Sequence, residues 1–255
     1  MQFLDLNIHG TTFFDHGSTY LGLLQDVFFL IAYVSFNWGT FQGGAQKAFG
    51  ISIKTQILYA LAYSFRVIEY SPYDHWSYEF IKSIVFSIFL WFAIVAIAFF
   101  SPEYDHDCKR VDTFWLHFTV GLASILAYTK GYSHLPLNGQ NYFWAWCNYV
   151  EGVAILPQLW LLFSIKRRDL VAKGIWYGVH LMTVSRVFQV AHWTYLDYDQ
   201  EILDRLALVS AIFHIVAYIL FLIALVIKDA IRGKPKMTLP SLVTEPSDDS
   251  INSEL

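Results

Sequence analysis

The sequence is poor in charged residues and in cysteine. Only 15% of its 255 residues are charged, whereas about 25% are charged in a typical soluble domain. This shortage excludes a disordered chain and a basic nucleic-acid-binding protein. Its two cysteines, Cys108 and Cys147, are too few for a disulfide framework. Apolar residues instead make up 56% of the chain, which predicts an all-α protein whose main solvent is the lipid bilayer.

Catalytic and metal-binding motifs are also missing. The sequence contains no Walker-type loop, no Gly-x-Gly-x-x-Gly, no His-Glu-x-x-His, no Gly-x-Ser-x-Gly and no cysteine pairs spaced for zinc. No pair of nucleophile and general base is visible either. We therefore expect no enzyme, no cofactor and no metal site.

Apolar stretches long enough to cross about 30 Å of hydrocarbon occur seven times. Because backbone groups in lipid must be satisfied internally, each stretch is predicted to be a transmembrane helix. The seven predicted spans are Tyr20–Phe41, Ser52–Tyr70, Phe80–Phe100, Val111–Thr129, Tyr142–Ile165, Gly174–Tyr195 and Leu206–Ile227. They define a membrane domain of residues 20–228, between a luminal segment of residues 1–19 and a disordered cytosolic tail of residues 229–255.

The orientation of the spans follows from the distribution of lysine and arginine. One side of the predicted membrane has only Lys130 and Arg205. The other side has twelve basic residues: Lys47, Lys54, Lys109, Arg110, Lys166, Arg167, Arg168, Lys173, Lys228, Arg232, Lys234 and Lys236. Because the side rich in basic residues is cytoplasmic, the N-terminus is predicted to be luminal and the C-terminus cytosolic.

A weak internal repeat relates the second and sixth spans. The string Ser64-Phe65-Arg66-Val67 resembles Val184-Ser185-Arg186-Val187, and a lysine precedes each arginine by twelve or thirteen residues. Two three-helix bundles joined by a linking helix would place Arg66 and Arg186 in equivalent positions. Parallel repeats of this kind occur in transporters, which bind their substrates at the repeat interface.

Charged residues within the spans mark a binding site or a buried ion pair by default. These residues are Asp26, Arg66, Glu69, Glu151 and Arg186. Lys82 lies close enough to a helix end to extend its ammonium to the membrane surface. Helical spacing predicts shared faces for Arg66 with Glu69, for Arg186 with Gln189 and Trp193, and for Glu151 with Asn148 and Trp144.

Two interpretations of these charges remain open. In one, Arg66 pairs with Glu69 and Arg186 pairs with Glu151 or Asp26, and the pairs only fix helix packing. In the other, the charges line a polar cavity that is open to the lumen. Its arginines would bind carboxylates in a bidentate manner, and its tryptophans would form the walls. His192 and His214 are either packing residues or sensors of a pH difference between compartments.

Several strings of the sequence resemble a known family signature. Tyr149–Leu159 (YVEGVAILPQL) is similar to the signature of the fifth helix of the KDEL receptors, or ER lumen protein-retaining receptors. Three other features also resemble the family: Gly50–Gln56 before Arg66, Arg186 followed by Trp193 in the sixth span, and Gly233–Pro240 in the tail. The string Ala191-His192-Trp193 is nearer to a divergent branch of the family. The resemblance extends from about Gly50 to Pro240. It implies a seven-helix fold related to PQ-loop and sugar-transporter (SWEET) proteins.

The resemblance also implies a function. Members bind the C-terminal tetrapeptides of escaped ER proteins in the Golgi and return them to the endoplasmic reticulum. The implied ligand site comprises Arg66 for the terminal carboxylate, Glu69 near the residue four from the end, Glu151 and Arg186 as a supporting network, and Trp144 and Trp193 as the wall. Lys234 and Lys236 match the family's lysine patch, which binds the vesicle coat. Two alternatives remain, namely a small-solute transporter on the same scaffold and a trafficking protein that binds no tetrapeptide.

Overall fold

The computed structural model describes residues 17–41, 50–70, 78–100, 116–130, 139–165, 171–200 and 205–231. All regular secondary structure in these stretches is α-helical. The helices are α1 (Gly17–Phe41), α2 (Ile53–Tyr70), α3 (Tyr78–Phe100), α4 (Leu116–Lys130), α5 (Gly139–Val153), α6 (Leu156–Ser164), α7 (Lys173–Gln200) and α8 (Arg205–Ile231). The predicted all-α class is therefore confirmed for the described residues.

Each predicted span coincides with one described stretch, but the fifth is not a single helix. It is divided into α5 and α6 by a turn at Ala154 and Ile155. Pro157 explains the break, because proline has no N–H to donate to the carbonyl of Val153 and its ring clashes with a continuing helix. The other differences lie at helix ends: α1 begins at Gly17, inside the predicted luminal segment, and α7 extends to Gln200.

The outer faces of the helices are apolar. Ile88, Ile125 and Val226 expose 61–68% of their surface, and similar large side chains occur along every long helix. Within the described stretches, three helical segments are long and apolar enough to cross a membrane, namely Tyr20–Trp38, Phe80–Ala98 and Arg205–Ala230, and a shorter apolar helix covers Leu116–Thr129. An exposed apolar surface of this extent is stable in lipid rather than in water. The protein is a helical membrane protein.

Antiparallel packing brings the helix ends together in two groups. At one end, Gly50 packs against Val171 and Ile175, and the Lys228 ammonium contacts the carbonyl of Phe163. We call this the basic end, because Lys54, Lys173 and Lys228 lie near the helix ends that meet there. The starts of α1 and α3 and the end of α7 meet at the opposite end. Within the bundle α1 packs mainly along α7, α2 packs on α3 and α5, and α8 packs on α7 and α5.

Two glycines allow the close approach of α1 and α7. A Cβ atom on Gly174 would lie 2.6 Å from the carbonyl oxygen of Ser35. A Cβ atom on Gly178 would lie 2.9 Å from both the carbonyl oxygen of Ala32 and Cβ of Phe36. The two glycines are four residues apart, which is the spacing of small residues that lets membrane helices pack backbone to backbone. Because α7 carries Arg186, this contact also sets the position of the charged site.

We expect Gly178→Ala to destabilise the protein by about 1–3 kcal/mol, because the added methyl group would meet backbone that cannot move freely. Thermal unfolding of the purified protein in detergent would measure the effect. Gly121→Ala in α4 is the matched control, since a Cβ there has nothing within 4 Å. Alanine favours helix over glycine by up to about 1 kcal/mol, so the control should be neutral or stabilising. Equal stability of both variants would contradict the proposed role of Gly178.

A glutamine side chain ties the basic end together. The Gln158 carboxamide accepts a hydrogen bond from the backbone N–H of Ser52 at 2.7 Å and donates one to the carbonyl of Gly50 at 2.7 Å. Gly50 has a φ of 97°, in the left-handed region that favours glycine. Gln158 is completely buried and follows the proline that breaks the fifth stretch. The break thus places a polar side chain where it satisfies the backbone that leads into α2.

Two sets of predicted residues lie outside the described ones. Residues 1–16 contain most of the predicted luminal segment, and residues 232–255 contain most of the predicted tail, including Lys234 and Lys236. Those predictions remain predictions.

Candidate ligand-binding site

Three charged side chains from three helices meet in the interior. Glu151 of α5 forms ion pairs with two arginines, one at each of its carboxylate oxygens. Nε of Arg66 lies 3.2 Å from Oε1 of Glu151, and Nη1 of Arg186 lies 3.1 Å from Oε2. Glu151 and Arg186 are almost completely buried, whereas the Arg66 side chain keeps 14% of its surface exposed. We call these three residues the charged triad.

The triad contains one more positive than negative charge. Arg186 also donates a hydrogen bond from Nη1 to the Gln189 carboxamide at 2.6 Å, one helical turn away, but that partner is neutral. Arginine remains protonated in proteins, so two guanidinium groups share one carboxylate. Charged groups inside a membrane protein are costly, and by default they mark a binding site or a packing pair. Guanidinium groups can bind a ligand carboxylate in a bidentate manner.

An aromatic layer lies beside the triad. The Phe29 ring is 5.5 Å from Tyr59, 5.6 Å from Tyr63 and 5.4 Å from Phe86, measured between ring centroids. The Arg186 guanidinium lies 5.9 Å from the Phe29 centroid, within the range of a cation–π contact. We call these four rings the aromatic plate. They fill the space between α1, α2 and α3, and Arg186 rests against them.

A second ion pair joins α1 to α3. The Lys82 ammonium lies 3.1 Å from Oδ2 of Asp26, and the Tyr78 hydroxyl donates to the same oxygen at 2.9 Å. The expectation that Lys82 extends to the membrane surface is therefore wrong, because Asp26 provides an ionic partner inside the bundle. The sequence allowed Arg186 to pair with either Glu151 or Asp26, and the structure pairs it with Glu151.

The structure brings together part of the predicted site. Arg66, Glu151 and Arg186 form the triad, in which both arginines pair with Glu151. Glu69 lies in α2 one turn beyond Arg66, and its side chain is outside the described ones. Trp144 and Trp193 are half-buried. Trp144 lies seven residues from Glu151, and Trp193 lies seven residues from Arg186, a distance of about 10 Å along each helix. Both tryptophans are displaced toward the end of the bundle opposite the basic end.

The two histidines occupy different environments. His192 is half-buried, where its ring lies 3.4 Å from the position that a Cβ on Gly22 would take and 5.4 Å from the Trp193 ring. His214 in α8 is completely buried and lies within electrostatic range of Arg186. Among the described residues, no group of three or more His, Cys, Asp or Glu side chains is arranged to hold a metal ion.

Four residues near the triad were not singled out from the sequence. Tyr59 and Tyr63 share a face of α2 with Arg66, and the spacing of 59, 63 and 66 was the signal that would have revealed them. Phe29 and Phe86 carried no comparable signal, because apolar residues are common on every face of α1 and α3. Their contact with the site depends on how the helices are rotated.

These features define a class: a helical membrane protein with a buried cationic site made by three helices. A profile of the family described as ER lumen protein retaining receptor matches residues 47–196. That range covers more than half of the chain, and the protein belongs to this family. The family is one of retention receptors rather than of enzymes.

Curated relatives agree with the family match. ER lumen protein-retaining receptor 3 of Danio rerio is 26% identical over 191 residues, and its counterpart in Xenopus tropicalis is 27% identical over 192 residues. ER lumen protein-retaining receptor erd-2.2 of Caenorhabditis elegans is 28% identical over 192 residues. Each alignment covers 75% of this chain and 85% of the relative. The resemblance seen in the sequence is therefore confirmed.

Proposed function

We propose that this protein is a sorting receptor of the endoplasmic reticulum and Golgi membranes that binds the C-terminal retention signals of luminal ER proteins. The observation that carries the proposal is the meeting of two arginines in the interior. Arg66 and Arg186 both contact Glu151, and the Arg66 side chain keeps 14% of its surface exposed. Every peptide C-terminus ends in a carboxylate, which guanidinium groups bind well.

Within this site Arg66 is the proposed contact for the ligand carboxylate. It is more exposed than Arg186, and it lies four residues before the end of α2. Glu151 and Arg186 are the proposed supporting network that holds Arg66 in place. Trp144 and Trp193 lie toward the same end, where their rings would form the wall of the entrance. Glu69 is proposed to contact the ligand residue four from its end.

The packing of the helices supports a two-bundle architecture. In this architecture α1 corresponds to α5 and α6, α2 corresponds to α7, and α3 corresponds to α8. If each of these helices is replaced by its counterpart, each main contact among them becomes another main contact. Thus α1 on α7 corresponds to α5 on α2, and α2 on α3 corresponds to α7 on α8. Arg66 and Arg186 are then equivalent positions that meet at Glu151. We therefore propose seven spans in two three-helix bundles joined by α4, as in PQ-loop proteins, with the basic end in the cytosol.

The alternative transporter function is less well supported. Between the triad and the basic end, the interior is filled by the aromatic plate and by completely buried side chains such as Tyr33, Phe36 and Leu161. The Gln158 hydrogen bonds close that end further. A receptor needs access from one side only, whereas a transporter must open both. The second alternative, a family member that acts in trafficking without a tetrapeptide, gives the two arginines that meet at Glu151 no role beyond packing.

Further roles are proposed for residues away from the triad. His192 and His214 are the proposed pH sensors, because protonation of either one would add positive charge near the carboxylate site. Lys234 and Lys236 of the tail are proposed to bind the vesicle coat.

A binding assay with a panel of C-terminal tetrapeptides tests the function. The purified protein in nanodiscs should bind at least one tetrapeptide that has a free C-terminal carboxylate. Its affinity should differ between mildly acidic and neutral pH. In proteoliposomes with the same peptides or with sugars, we expect no saturable uptake. Binding of no tetrapeptide would overturn the receptor function, and saturable uptake of a solute would favour the transporter.

A further inference from the structure

An apolar groove opens on the outer face of the bundle. It has a volume of about 560 Å³ and is lined by side chains of α4, of the divided fifth stretch and of α8. Helices α4 and α8 each pack on α5, and the groove occupies the space left between them. Tyr149 and Val153 line it, and each is two residues from Glu151, or about 200° around the helix. The groove, which we call the lateral groove, therefore lies on the face of α5 opposite the charged triad.

The floor of the lateral groove is one stripe of the fifth stretch. Tyr149, Val153, Leu156 and Trp160 follow one another at intervals of four, three and four residues, which is the spacing of one helix face, and the stripe continues across the break before Pro157. At the helical rise the stripe is about 16 Å long. It begins near the level of the triad and ends four residues before the end of α6, at the basic end. One leaflet contributes about 15 Å of hydrocarbon, so the length of the groove matches one leaflet.

Neither water nor empty space is a stable content of the groove. A buried water needs about two to four polar partners, whereas seven of the ten lining side chains have no polar atom. An empty groove would forfeit the dispersion contacts of its walls. Its rim includes Phe118, Trp160 and Phe213, which expose 45–63% of their surface to the bilayer. The groove is thus continuous with the lipid-facing surface, and hydrocarbon enters it from the side.

Size, shape and charge select one kind of occupant. A helix is about 10–12 Å wide and would need at least about 1,200 Å³ over this length, roughly twice the volume of the groove. The floor turns at Ala154 and Ile155, so a flexible chain follows it better than a rigid sterol ring system does. One turn beyond Trp160, the Lys228 ammonium lies 4.1 Å from the centroid of the Phe163 ring. This places positive charge near the level of the lipid headgroups, where a phosphate would lie.

We propose that the lateral groove binds one acyl chain of a phospholipid from the leaflet at the basic end. The phosphate lies on the side of Lys228, and the methyl end of the chain lies near Tyr149. The bound chain fills the space between α4 and α8 and packs on both parts of the fifth stretch. The site is separate from the triad, and it stands whether or not the protein binds a tetrapeptide.

Photo-crosslinking of the full-length protein in nanodiscs of dioleoylphosphatidylcholine tests the site. The two probes are phosphatidylcholines that carry a diazirine near the carboxyl end or near the methyl end of one chain. Mass spectrometry of peptides locates the labelled residues. We expect the first probe to label Trp160 and the second to label Tyr149, each more heavily than either probe labels the exposed surface around Ile88 of α3. Added cholesterol should leave this pattern unchanged.

Two outcomes would overturn the proposal in the wild type. Labelling of Trp160 and Tyr149 no heavier than that around Ile88 would indicate ordinary contact with bulk lipid. Loss of the labelling when cholesterol is added would assign the groove to a sterol instead.

Two substitutions in α4 form a matched pair. Leu122 lines the groove and is 44% exposed, whereas Ile125 is 61% exposed and is not among the lining residues. Leu122→Trp fills part of the groove and should lower the labelling of Tyr149 about tenfold, which corresponds to a loss of about 1.4 kcal/mol in affinity. Ile125→Trp should keep the wild-type pattern. Equal labelling of Tyr149 in both variants would contradict the site, and if Leu122→Trp does not fold, the depth pattern of the two probes in the wild type decides the question.

Discussion

Glu151→Gln is expected to lower the free energy of unfolding by about 3–5 kcal/mol, because removal of one partner leaves uncompensated charge in the interior. Two guanidinium groups would then face each other across a neutral amide. The effect should exceed that of any other single substitution of an acidic residue among the described ones. Denaturant or thermal unfolding of the purified protein in detergent measures it.

Two comparisons separate this effect from a general loss of a carboxylate. Asp229→Asn changes an exposed acidic residue near the end of α8, where an ionic contact is worth about 1 kcal/mol or less, so this variant should lose much less stability than Glu151→Gln. The double variant Glu151→Gln with Arg186→Gln removes one charge of each sign. It should recover part of the lost stability, with a coupling energy of about 0.5–3 kcal/mol. Strict additivity of the two single substitutions would contradict the triad as an energetic unit.

Arg66→Gln is expected to reduce the affinity for a tetrapeptide at least about 150-fold while the protein stays folded. Two charge-assisted hydrogen bonds to a carboxylate contribute about 1.5–3 kcal/mol each, and 1.4 kcal/mol corresponds to a factor of ten. The amide nitrogen of glutamine occupies the place of Nε in arginine, so it can still contact Oε1 of Glu151, which protects the fold. The assay is equilibrium binding of a labelled peptide to the protein in nanodiscs.

An amidated peptide identifies the group that Arg66 recognises. The wild type should lose about as much affinity for the amidated peptide as Arg66→Gln loses for the acid, and Arg66→Gln should bind both peptides about equally weakly. Arg205→Gln, an exposed arginine at the start of α8, is the matched control and should bind as the wild type does. If the wild type binds acid and amide peptides equally, Arg66 is not the carboxylate contact.

The positions of the helical stretches followed from the sequence because hydropathy is a local property. Each predicted apolar stretch coincides with a described helical stretch, and the family resemblance carried by Tyr149–Leu159 was confirmed by the comparisons. The sequence also indicated that Arg66, Glu151 and Arg186 need partners in the interior, since a charge within an apolar run is costly wherever the helix packs. The division of the fifth stretch before Pro157 was not predicted, although proline commonly interrupts a helix.

Only the tertiary structure decided which groups meet. The sequence did not show that Arg66 contacts Glu151 or that Lys82 pairs with Asp26, and the fold brings both pairs together. Gln158 reaches Ser52 across 106 positions of the chain. Such partners depend on the rotation of each helix and on the close approach that Gly174 and Gly178 allow. Helical spacing fixes which residues share a face, but only packing fixes what that face meets.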